Sequence, residues 1–429
     1  MRKLIIRLTI TRQQHKTTQI TITTSNLYIM KLAIVTAYPP SKVTLNEYAY
    51  HLVKHFRQNQ EVTELVLLTD VTPDQADITF EEDGCEITVK QCWKFNSLKN
   101  VFSIAKAVRA TQPDAVLYNL QFMKFGDKKV AAALGLFSPW VSKMMGVKTT
   151  VLLHNIMETV DLDSAGFTSN KLKIKAYNFI GEMLTRVVLK ADTVALTISK
   201  YVDILEEKYN AKNCVLIPHG TFEIPEEPSY DVAPGPLKIM TFGKFGTYKK
   251  VEILIEAVQI VREQTGRDLE IVIAGTDSPN TPGYLAEVQE VYKHVPNLTF
   301  TGYVEEEDVP VIFSESAMVV FPYTSTTGSS GVLHQAGSYG KAVVMPDLGD
   351  LGILVKEEGY RGEFFNPESL HSLATGIQNL VTNDAYRTEI AKANYQAATA
   401  LPMSRIAQMY IDVFNGTSRR TKNTTLMAA

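Results

Sequence analysis

The chain has 429 residues, of which 45% are hydrophobic and 21% are charged. This length predicts two or three domains, and this composition is typical of a soluble globular protein. The formal net charge of −3 excludes a strongly basic nucleic-acid-binding protein, and the three cysteines have neither disulfide-framework nor metal-site spacing, which favours a reducing cytoplasm. No apolar run approaches the roughly 18 residues of a membrane span.

Charge is distributed unevenly along the chain. Residues 30–220 contain 22 Lys+Arg and 20 Asp+Glu, a balance of +2, whereas residues 221–416 contain 13 and 26, a balance of −13. A difference of this size predicts two domains that bind different partners.

The first 29 residues differ from the rest in composition. They are rich in threonine, carry five basic and no acidic residues, and have one short apolar patch at residues 4–6. That patch is too short for the core of a signal peptide. We expect residues 1–29 to be a disordered or non-native extension, with the folded chain beginning at Met30. A membrane-surface or partner-binding arm is the alternative.

From residue 30 the pattern alternates between strands and helices. Apolar strands are predicted at residues 32–38, 65–68, 85–89, 115–118, 149–153, 193–197 and 215–217. Helices are predicted at residues 45–56, 98–110, 128–145, 171–190 and 200–207. Near-continuous Val/Ile/Leu strands separated by amphipathic helices predict a parallel sheet covered on both faces.

A segment with four prolines in twelve residues, 225–236, has the composition of a linker. After it the alternation resumes. Strands are predicted at residues 237–243, 269–275, 298–304, 317–321 and 342–345, and helices at residues 251–261, 330–339, 370–381 and 384–414. Two doubly wound domains joined by a linker predict a cleft between the carboxyl ends of their strands, where such sheets bind ligands.

Residues 321–347 read as a strand, a loop of Thr, Ser and Gly, a helix ended by Gly340, and a second strand. This βαβ unit places a helix N-terminus at the carboxyl end of a parallel sheet. Exposed amides and the helix dipole favour an anion there, and small residues let it come close. An ordinary βα loop is the alternative.

Several segments, in this order, resemble those of family 4 glycosyltransferases. VLIPHGTF (215–222) is similar to the family's IPNG turn, and FGKFGTYKKVEILIEA (242–257) resembles its glycine-basic-x4-Lys segment. TGYVEEEDVPVIFSESAMVVFPY (301–323) has the layout of its strand, acidic helix and buried strand, and PMSRIAQMYIDVF (402–414) resembles its final helix. The resemblance implies an α/β protein of the GT-B fold: two Rossmann-like, doubly wound parallel-sheet domains facing each other across a cleft.

The same resemblance implies a division of labour. Residues 30–224 would form the acceptor domain, 225–236 the linker, 237–401 the nucleotide-sugar domain and 402–416 a helix crossing back to the first domain. Residues 417–429 read as a disordered tail.

Two lysines are candidate catalytic residues at the donor diphosphate. Lys244 and Lys249 flank a loop before a helix, where ammonium groups would offset the charge of a diphosphate and of the leaving nucleotide. The family has basic residues at both positions. Lys250 stands where the family usually has glycine, so which neighbouring lysine points inward is open. Surface lysines at a helix start are the alternative.

His154 is the third candidate catalytic residue. It matches a family histidine whose side chain and main chain face the donor sugar, although a lone histidine at a strand end is more often structural. Asn155 follows where many relatives have Asp, so that position supplies no carboxylate base. Asp161 and Asp163 are the nearest acids, with solvated loop acids as the alternative reading.

The family's Glu-x7-Glu motif aligns with Thr327 and Gln335. Gln335 can still accept a hydrogen bond from a ribose hydroxyl, and Thr327 can offer a hydroxyl, but neither carries a charge. The intervening helix start, Gly328, Ser329, Ser330 and Gly331, would lie near the phosphate or sugar. In the first domain Val43-Thr44 replaces the usual Gly-Gly, which makes a positive φ costly.

These observations predict a cytoplasmic, metal-independent glycosyltransferase without a cofactor, and the resemblance to family 4 implies that it retains the configuration of the donor sugar. Its partners would be a nucleotide-diphosphate sugar and a glycan, lipid-linked or small-molecule acceptor, but not nucleic acid. The basic helix at 171–190 suggests peripheral membrane contact, with a core-facing helix as the alternative. A catalytically silent subunit that binds a sugar nucleotide or a partner transferase, and a GT-B sugar-nucleotide epimerase, are alternative functions.

Overall fold

The computed structural model describes residues 2–12, 18–41, 43–72, 76–159, 170–278, 280–326 and 328–417. It begins with an antiparallel hairpin of β1 (Arg2–Arg12) and β2 (Thr18–Tyr28), which forms a two-stranded sheet of its own. The sequence predicted a disordered or non-native extension over residues 1–29, whereas the structure has a hairpin in this segment. Threonine and isoleucine, which are frequent here, favour extended backbone. The predicted disordered tail lies outside the described residues after Thr417.

The first domain contains an eight-stranded sheet with the order β10-β9-β8-β7-β3-β4-β6-β5. Its strands are β3 (Met30–Val35), β4 (Val62–Asp70), β5 (Ile78–Glu82), β6 (Cys85–Trp93), β7 (Ala115–Leu120), β8 (Lys148–Leu153), β9 (Thr193–Leu196) and β10 (Cys214–Leu216). Its helices are α1 (Asn46–Arg57), α2 (Asn100–Thr111), α3 (Lys129–Gly135), α4 (Ser138–Met144), α5 (Lys171–Val188) and α6 (Ser199–Tyr209). All neighbouring strands pair in parallel except β5, an antiparallel edge strand that the sequence pattern did not indicate.

The second domain contains a six-stranded parallel sheet with the order β13-β12-β11-β14-β15-β16. Its strands are β11 (Leu237–Phe245), β12 (Leu269–Asp277), β13 (Leu298–Gly302), β14 (Met318–Val320), β15 (Ala342–Pro346) and β16 (Glu363–Phe365). Its helices are α7 (Val251–Thr265), α8 (Tyr284–Val291), α9 (Val309–Glu315), α10 (Gly331–Ser338), α11 (Gly349–Glu358), α12 (Leu370–Thr382) and α13 (Asp384–Ala400). The last helix, α14 (Met403–Asn415), belongs to the core of the first domain. The α/β fold with two parallel-sheet domains is therefore confirmed.

Two predicted helices are each divided in the structure. Residues 128–145 form α3 and α4, with Pro139 in the first turn of α4, where a missing N–H costs nothing. Residues 384–414 form α13 and α14, separated at Pro402, which cannot continue the hydrogen-bond ladder of α13.

The chain crosses between the domains twice, and the two crossings touch. The Thr221 amide donates to the carbonyl of Leu401 at 2.8 Å, and the Met403 amide donates back to Thr221 at 3.0 Å. Beside them Gly220 has φ +79°, and a Cβ there would lie 2.4 Å from Cγ1 of Ile406. α14 then packs its apolar face against α1 of the first domain. These contacts pack the two crossings and α14 tightly together at one side of the cleft.

Candidate active site

A cavity of about 730 Å³ lies between the carboxyl ends of the two sheets. Its walls come from the start of α1, from the segment that leads into the linker, and from the ends of β11, β12 and β13 together with α10. Among the predicted site residues, Lys244, Gly331 and Gln335 line it. This is the place where open parallel sheets bind ligands.

Backbone forms part of the wall on the second domain. Gly243 and Gly275 lie side by side at the ends of β11 and β12, with φ of +134° and +136°. A Cβ on Gly275 would lie 1.9 Å from the carbonyl oxygen of Gly243. Only glycine fits this close approach, so a ligand meets main chain here, not bulky side chains.

The structure distinguishes the three lysines of this region. Lys244 is exposed on the cavity wall. Nζ of Lys249 lies 2.9 Å from the place where a Cβ of Gly243 would stand, and 4.7 Å from the centre of the Tyr323 ring. Lys250 turns elsewhere, because its Nζ donates to the carbonyl of Gly246 at 3.2 Å. Of the two neighbouring lysines, Lys249 therefore points towards the strand ends.

Burial lowers the pKa of Lys249, with the nearby Tyr248 opposing that shift. A half-buried ammonium group set against an aromatic ring retains attraction for an anion, because water screens it less than an exposed one. Lys244 and Lys249 thus offer two positive charges beside a glycine-lined wall.

The predicted Gly-Ser loop is only partly directed at the cavity. Gly331 and Gln335 line it, and Ser330 caps α10 by accepting from the Leu333 amide at 3.3 Å. The Gly328 amide instead donates to Oη of Tyr201 at 2.7 Å and to Asp350 at 3.1 Å. Gly328, Ser329 and Ser330 are not on the cavity wall. Thr327 lies outside the described residues, as do Asp161 and Asp163.

His154 lies behind the cavity wall. Its Nε2 is 2.7 Å from Oδ1 of Asn119, and its ring packs edge-on against Tyr48, which lines the cavity. Burial holds the pKa of His154 well below its usual value, and His219 and Lys124 lower it further. Its carbonyl oxygen would lie 3.0 Å from a Cβ on Gly328. The structure therefore brings His154 and Gly328 together across the domain boundary.

The loop before α1 contains Val43 and Thr44 in place of a glycine pair. Leu45 adopts φ +72°, a left-handed conformation that costs free energy for a residue with a Cβ. Nζ of the buried Lys124 donates to the Thr44 carbonyl at 2.7 Å, and Asn119 donates to the Leu45 carbonyl at 3.3 Å. Burial lowers the pKa of Lys124 to about 7, and Asp70 opposes the shift. Side chains from β7 and the loop after it thus hold the strained turn.

Histidines and aromatic rings that the sequence analysis did not assign complete the cavity. His219, in the IPHG turn, stacks on His334 with ring centres 5.0 Å apart. Its Nδ1 lies 2.9 Å from the Gly220 carbonyl, which can only accept, so Nε2 is left as an acceptor. Burial lowers the pKa of His219 to about 4. Its position in the turn that follows β10 was the sequence signal that could have identified it.

Part of the chain is similar in sequence to a known protein family. Residues 236–383 match the family model described as "Glycosyl transferases group 1". No curated protein matches the chain in sequence.

Solved structures share the fold along most of the chain. Sucrose-phosphate synthase from Thermosynechococcus elongatus is similar with a TM-score of 0.66 and 16% identity, over 90% of this chain and 99% of the other. Anabaena Alr3699/HepE in complex with UDP gives 0.63 and 15%, over 90% and 100%. An E. coli structure titled "Trehalose-6-phosphate from E. coli bound with UDP-2-fluoro glucose" gives 0.64 and 11%, over 90% and 98%.

At these identities the structural likeness establishes the fold alone, which is GT-B. The sequence match independently covers most of the second domain. The chain is thus similar to GT-B proteins in fold, and its second domain is similar in sequence to the group 1 glycosyltransferases.

Proposed function

We propose that this chain is a retaining, family 4 glycosyltransferase that transfers a sugar from a nucleotide-diphosphate sugar. The observation that carries the proposal is the wall formed by Gly243 and Gly275, with Lys244 and Lys249 beside it. Main chain at strand ends and two cations suit a diphosphate held close to the sheet.

The donor would lie mainly on the second domain. Lys244 and Lys249 would offset the charge of the diphosphate and of the leaving nucleotide, so the transfer itself would need neither a metal nor a cofactor. The N-terminus of α10 at Gly331 would face a phosphate or the sugar, and Gln335 would accept from the ribose. Thr327 remains a predicted donor contact.

The acceptor would lie against the first domain. His154 is expected to approach the donor sugar through its main chain, since its ring is paired with Asn119. Nε2 of His219 would accept a hydrogen bond from a sugar hydroxyl, because Nδ1 is already used by Gly220. Closure about residues 225–236 would exclude water and limit hydrolysis of the donor. Retention of configuration rests on the resemblance to family 4.

A panel of nucleotides and nucleotide sugars tests the proposal. A ligand that binds the native state raises its melting temperature by mass action, so UDP-, GDP- and ADP-sugars are compared first. The best donor is then incubated with acceptor mixtures, and the anomeric configuration of the product is read by NMR. An absence of any thermal shift across the panel would contradict the proposal.

A silent subunit is the second candidate function, because Thr327 and Gln335 stand where the family has two glutamates. It predicts nucleotide binding without turnover. Saturable binding of the best donor, combined with neither hydrolysis nor transfer over days, would favour this alternative, whereas conversion into a second sugar nucleotide would favour an epimerase.

The surface of α5 supports contact with a membrane. Leu172, Phe179 and Met183 are 79%, 65% and 50% exposed, so the expected alternative of a core-facing helix does not hold for them. Lys171, Lys173 and Lys175 lie on the same helix. Exposed apolar side chains accompanied by lysines suit an anionic lipid surface. Among the described residues no helix combines the length and apolarity needed to cross a bilayer.

We therefore propose a cytoplasmic protein that contacts the inner face of the membrane through α5. Co-sedimentation with vesicles tests this. Vesicles with a third of anionic lipid should bind the wild type more strongly than neutral vesicles do, and Phe179→Ser should weaken that binding. Val311→Ser, at a residue 53% exposed on the second domain, is the control. Equal binding by the wild type and Phe179→Ser would contradict the contact.

A further inference from the structure

Three side chains of the cavity mouth converge from both domains. Glu47 and His51 lie one turn apart on α1, and Glu306 lies before α9 of the second domain. Each offers one ligand atom, and the three atoms lie within 4.8 Å of one another. Side chains at i and i+4 lie on the same face of a helix, which explains how α1 supplies two of them.

The histidine is the informative member of this cluster. His51 is only 2% exposed, whereas both carboxylates are exposed. Its Nε2 lies 3.4 Å from Oε1 of Glu306, and its Nδ1 lies 3.3 Å from Oε1 of Glu223 without forming a hydrogen bond. The buried nitrogen without a hydrogen bond is thus Nδ1, which faces Glu223 outside the cluster, whereas Nε2 faces Glu306 within it. A metal ion bound at Nε2 would leave the ring proton on Nδ1, where it could be donated to Glu223.

Glu223 adds a second feature of metal-binding histidines. Such histidines usually direct the ring nitrogen that does not bind metal at a carboxylate, which fixes the tautomer and raises the basicity of the ligand. Glu223 is placed to do this for Nδ1 of His51, and it is itself held by Lys54 at 2.6 Å. The ring is also stacked on Phe222, with centres 4.3 Å apart, which fixes its orientation.

We propose that Glu47, His51 and Glu306 bind a divalent transition-metal ion such as Zn²⁺ between the two domains. One imidazole nitrogen and two carboxylate oxygens are a ligand set that Zn²⁺ accepts, with a remaining position for water. Ligand distances near 2 Å require movement of the two glutamates, which their exposure permits. Glu47, His51 and Glu306 line the same cavity as Lys244, so this ion would lie beside the diphosphate contact proposed for that lysine.

The charges around the cluster allow a cation. Three carboxylates, those of Glu47, Glu223 and Glu306, face the two ammonium groups of Lys54 and Lys244, which leaves one excess negative charge among these five side chains. The carboxylates of Glu47 and Glu306 lie close together, so both gain from a shared cation.

A site shared between domains links metal binding to closure. Two ligands belong to the first domain and one to the second, so an open cleft cannot supply all three. An ion that binds only the closed form shifts the population towards it. The proposal does not depend on the nucleotide-sugar activity, because metal binding is measured without nucleotide.

Calorimetric titration of the full chain with ZnCl2, after treatment with a chelator and without nucleotide, tests the site. The wild type should bind one Zn²⁺ at this site. Glu306→Gln should weaken binding by more than tenfold, and Glu223→Gln, which leaves all three ligands in place, by roughly 10–100-fold. His371→Ala, an exposed histidine on α12, is the control and should bind as the wild type does.

His51→Ala removes a buried ring, so its folding is checked first by circular dichroism. Glu306→Gln changes an exposed side chain and keeps the test decisive if His51→Ala does not fold. Substitution with Co²⁺ gives a second readout, since its visible absorption reports low coordination number and should be lost in Glu306→Gln. Equal Zn²⁺ affinity of the wild type, Glu306→Gln and His371→Ala, or no binding at all, would overturn the proposal.

Small-angle scattering then tests the link to closure. Zn²⁺ should reduce the radius of gyration of the wild type but not that of Glu306→Gln. If Zn²⁺ binds through these residues with no change in dimensions in either protein, the metal site holds but its role between domains does not.

Discussion

The two walls of the cleft are built on different principles. On the second domain the strands end in glycine, and Gly243 and Gly275 present main chain to the cavity with Lys249 close behind. On the first domain the corresponding surface consists of side chains, with Tyr48 and His51 on the wall and His154 packed behind.

The two walls also differ in what the backbone atoms contact. At the second wall the ends of β11 and β12 approach each other so closely that a Cβ cannot fit between them. At the first wall, backbone carbonyls are already hydrogen-bonded within the protein. Lys124 donates to the Thr44 carbonyl, and Asn119 donates to the Leu45 carbonyl. A phosphate is attracted by cations, and Lys244 and Lys249 lie at the second wall, whereas an uncharged hydroxyl-rich ligand can be bound by side chains such as those of the first wall. This difference favours the proposed placement of the donor against the second wall, with the acceptor against the first.

The largest expected effect comes from breaking the glycine wall. Gly275→Ala should lower the free energy of unfolding by roughly 3–5 kcal/mol, the sum of backbone strain at positive φ and overpacking. The collision partner is the Gly243 carbonyl at 1.9 Å, which belongs to a buried strand and cannot turn aside as a side chain could. Urea denaturation measures the change.

Gly235→Ala is the matched control for that experiment. Gly235 has φ +106°, but no atom lies within 4 Å of its added Cβ. It should show only the strain, roughly 1–3 kcal/mol. Equal destabilisation by both substitutions would show that the positive φ alone requires glycine at position 275. The close approach of β11 and β12 would then make no contribution to the loss of stability.

The second effect concerns the lysines of the same wall. Lys249→Ala should weaken nucleoside-diphosphate binding by roughly 1.5–3 kcal/mol, the scale of a hydrogen bond to a charged group, whereas Lys250→Ala should bind almost as the wild type does. The reason is that Lys250 is directed at Gly246 and Tyr284, away from Gly243. Calorimetry with a nucleoside diphosphate measures both. The opposite ranking would contradict the assignment of Lys249 to the diphosphate.

Sequence reasoning predicted the framework of the second wall better than that of the first. The glycine and lysine positions of residues 242–249 follow from a local pattern, strand then loop then helix, and that pattern is sufficient to place them. The choice between Lys249 and Lys250 was not predictable, because it depends on Tyr323 and Tyr284 from distant parts of the chain.

The first wall could not be predicted in the same way. Its key contacts join residues far apart in sequence, such as His154 with Asn119 and His51 with Glu306. No spacing rule connects them, since tertiary packing alone brings them together. Short elements were missed for a related reason: β16 (Glu363–Phe365) is too short to show a period.

The third prediction uses pH to compare the two sides of His334. His219 stacks on it, with a pKa lowered by burial to about 4, and Glu358 lies 3.5 Å from it, with a pKa raised by burial to about 8. The folded state binds fewer protons at His219 than the unfolded state does between pH 6.5 and 4, so its contribution to stability is lost as pH falls through this range. For Glu358 the sign is opposite, and its contribution is lost as pH rises from 4.5 through 8.

Replacing each group should therefore change opposite limbs of the stability profile. His219→Gln should reduce the slope of unfolding free energy against pH near 5.5 by about 1 kcal/mol per pH unit, somewhat below the limit of about 1.4 kcal/mol per pH unit for one proton. Glu358→Gln should reduce the fall in stability between pH 6 and 8. Urea denaturation at a series of pH values measures both slopes. An unchanged acid limb in His219→Gln would show that His219 is not the group that binds the proton.

The smallest expected effect tests Gln335, the point where the second wall departs from the family pattern. Gln335 lines the cavity, and its carbonyl can accept from a ribose hydroxyl. Gln335→Glu would exchange a neutral hydrogen bond for a charge-assisted one, about twice as strong in a site built for it. The surroundings here hold an amide, and Glu306 already lines the same cavity, so a further carboxylate meets repulsion.

We therefore expect Gln335→Glu to change nucleotide affinity by less than tenfold in either direction. Gln335→Leu should be clearly worse, because leucine keeps the size but leaves ribose hydroxyls unpaired, at roughly 1–3 kcal/mol. Calorimetry of the wild type and both variants with a nucleoside diphosphate and with its 2′,3′-dideoxy analogue separates the causes. The loss in Gln335→Leu should vanish with the dideoxy analogue, since that ligand has no hydroxyl to leave unpaired. If Gln335→Leu binds both ligands as the wild type does, the ribose lies elsewhere, and the second wall holds the nucleotide through its diphosphate alone.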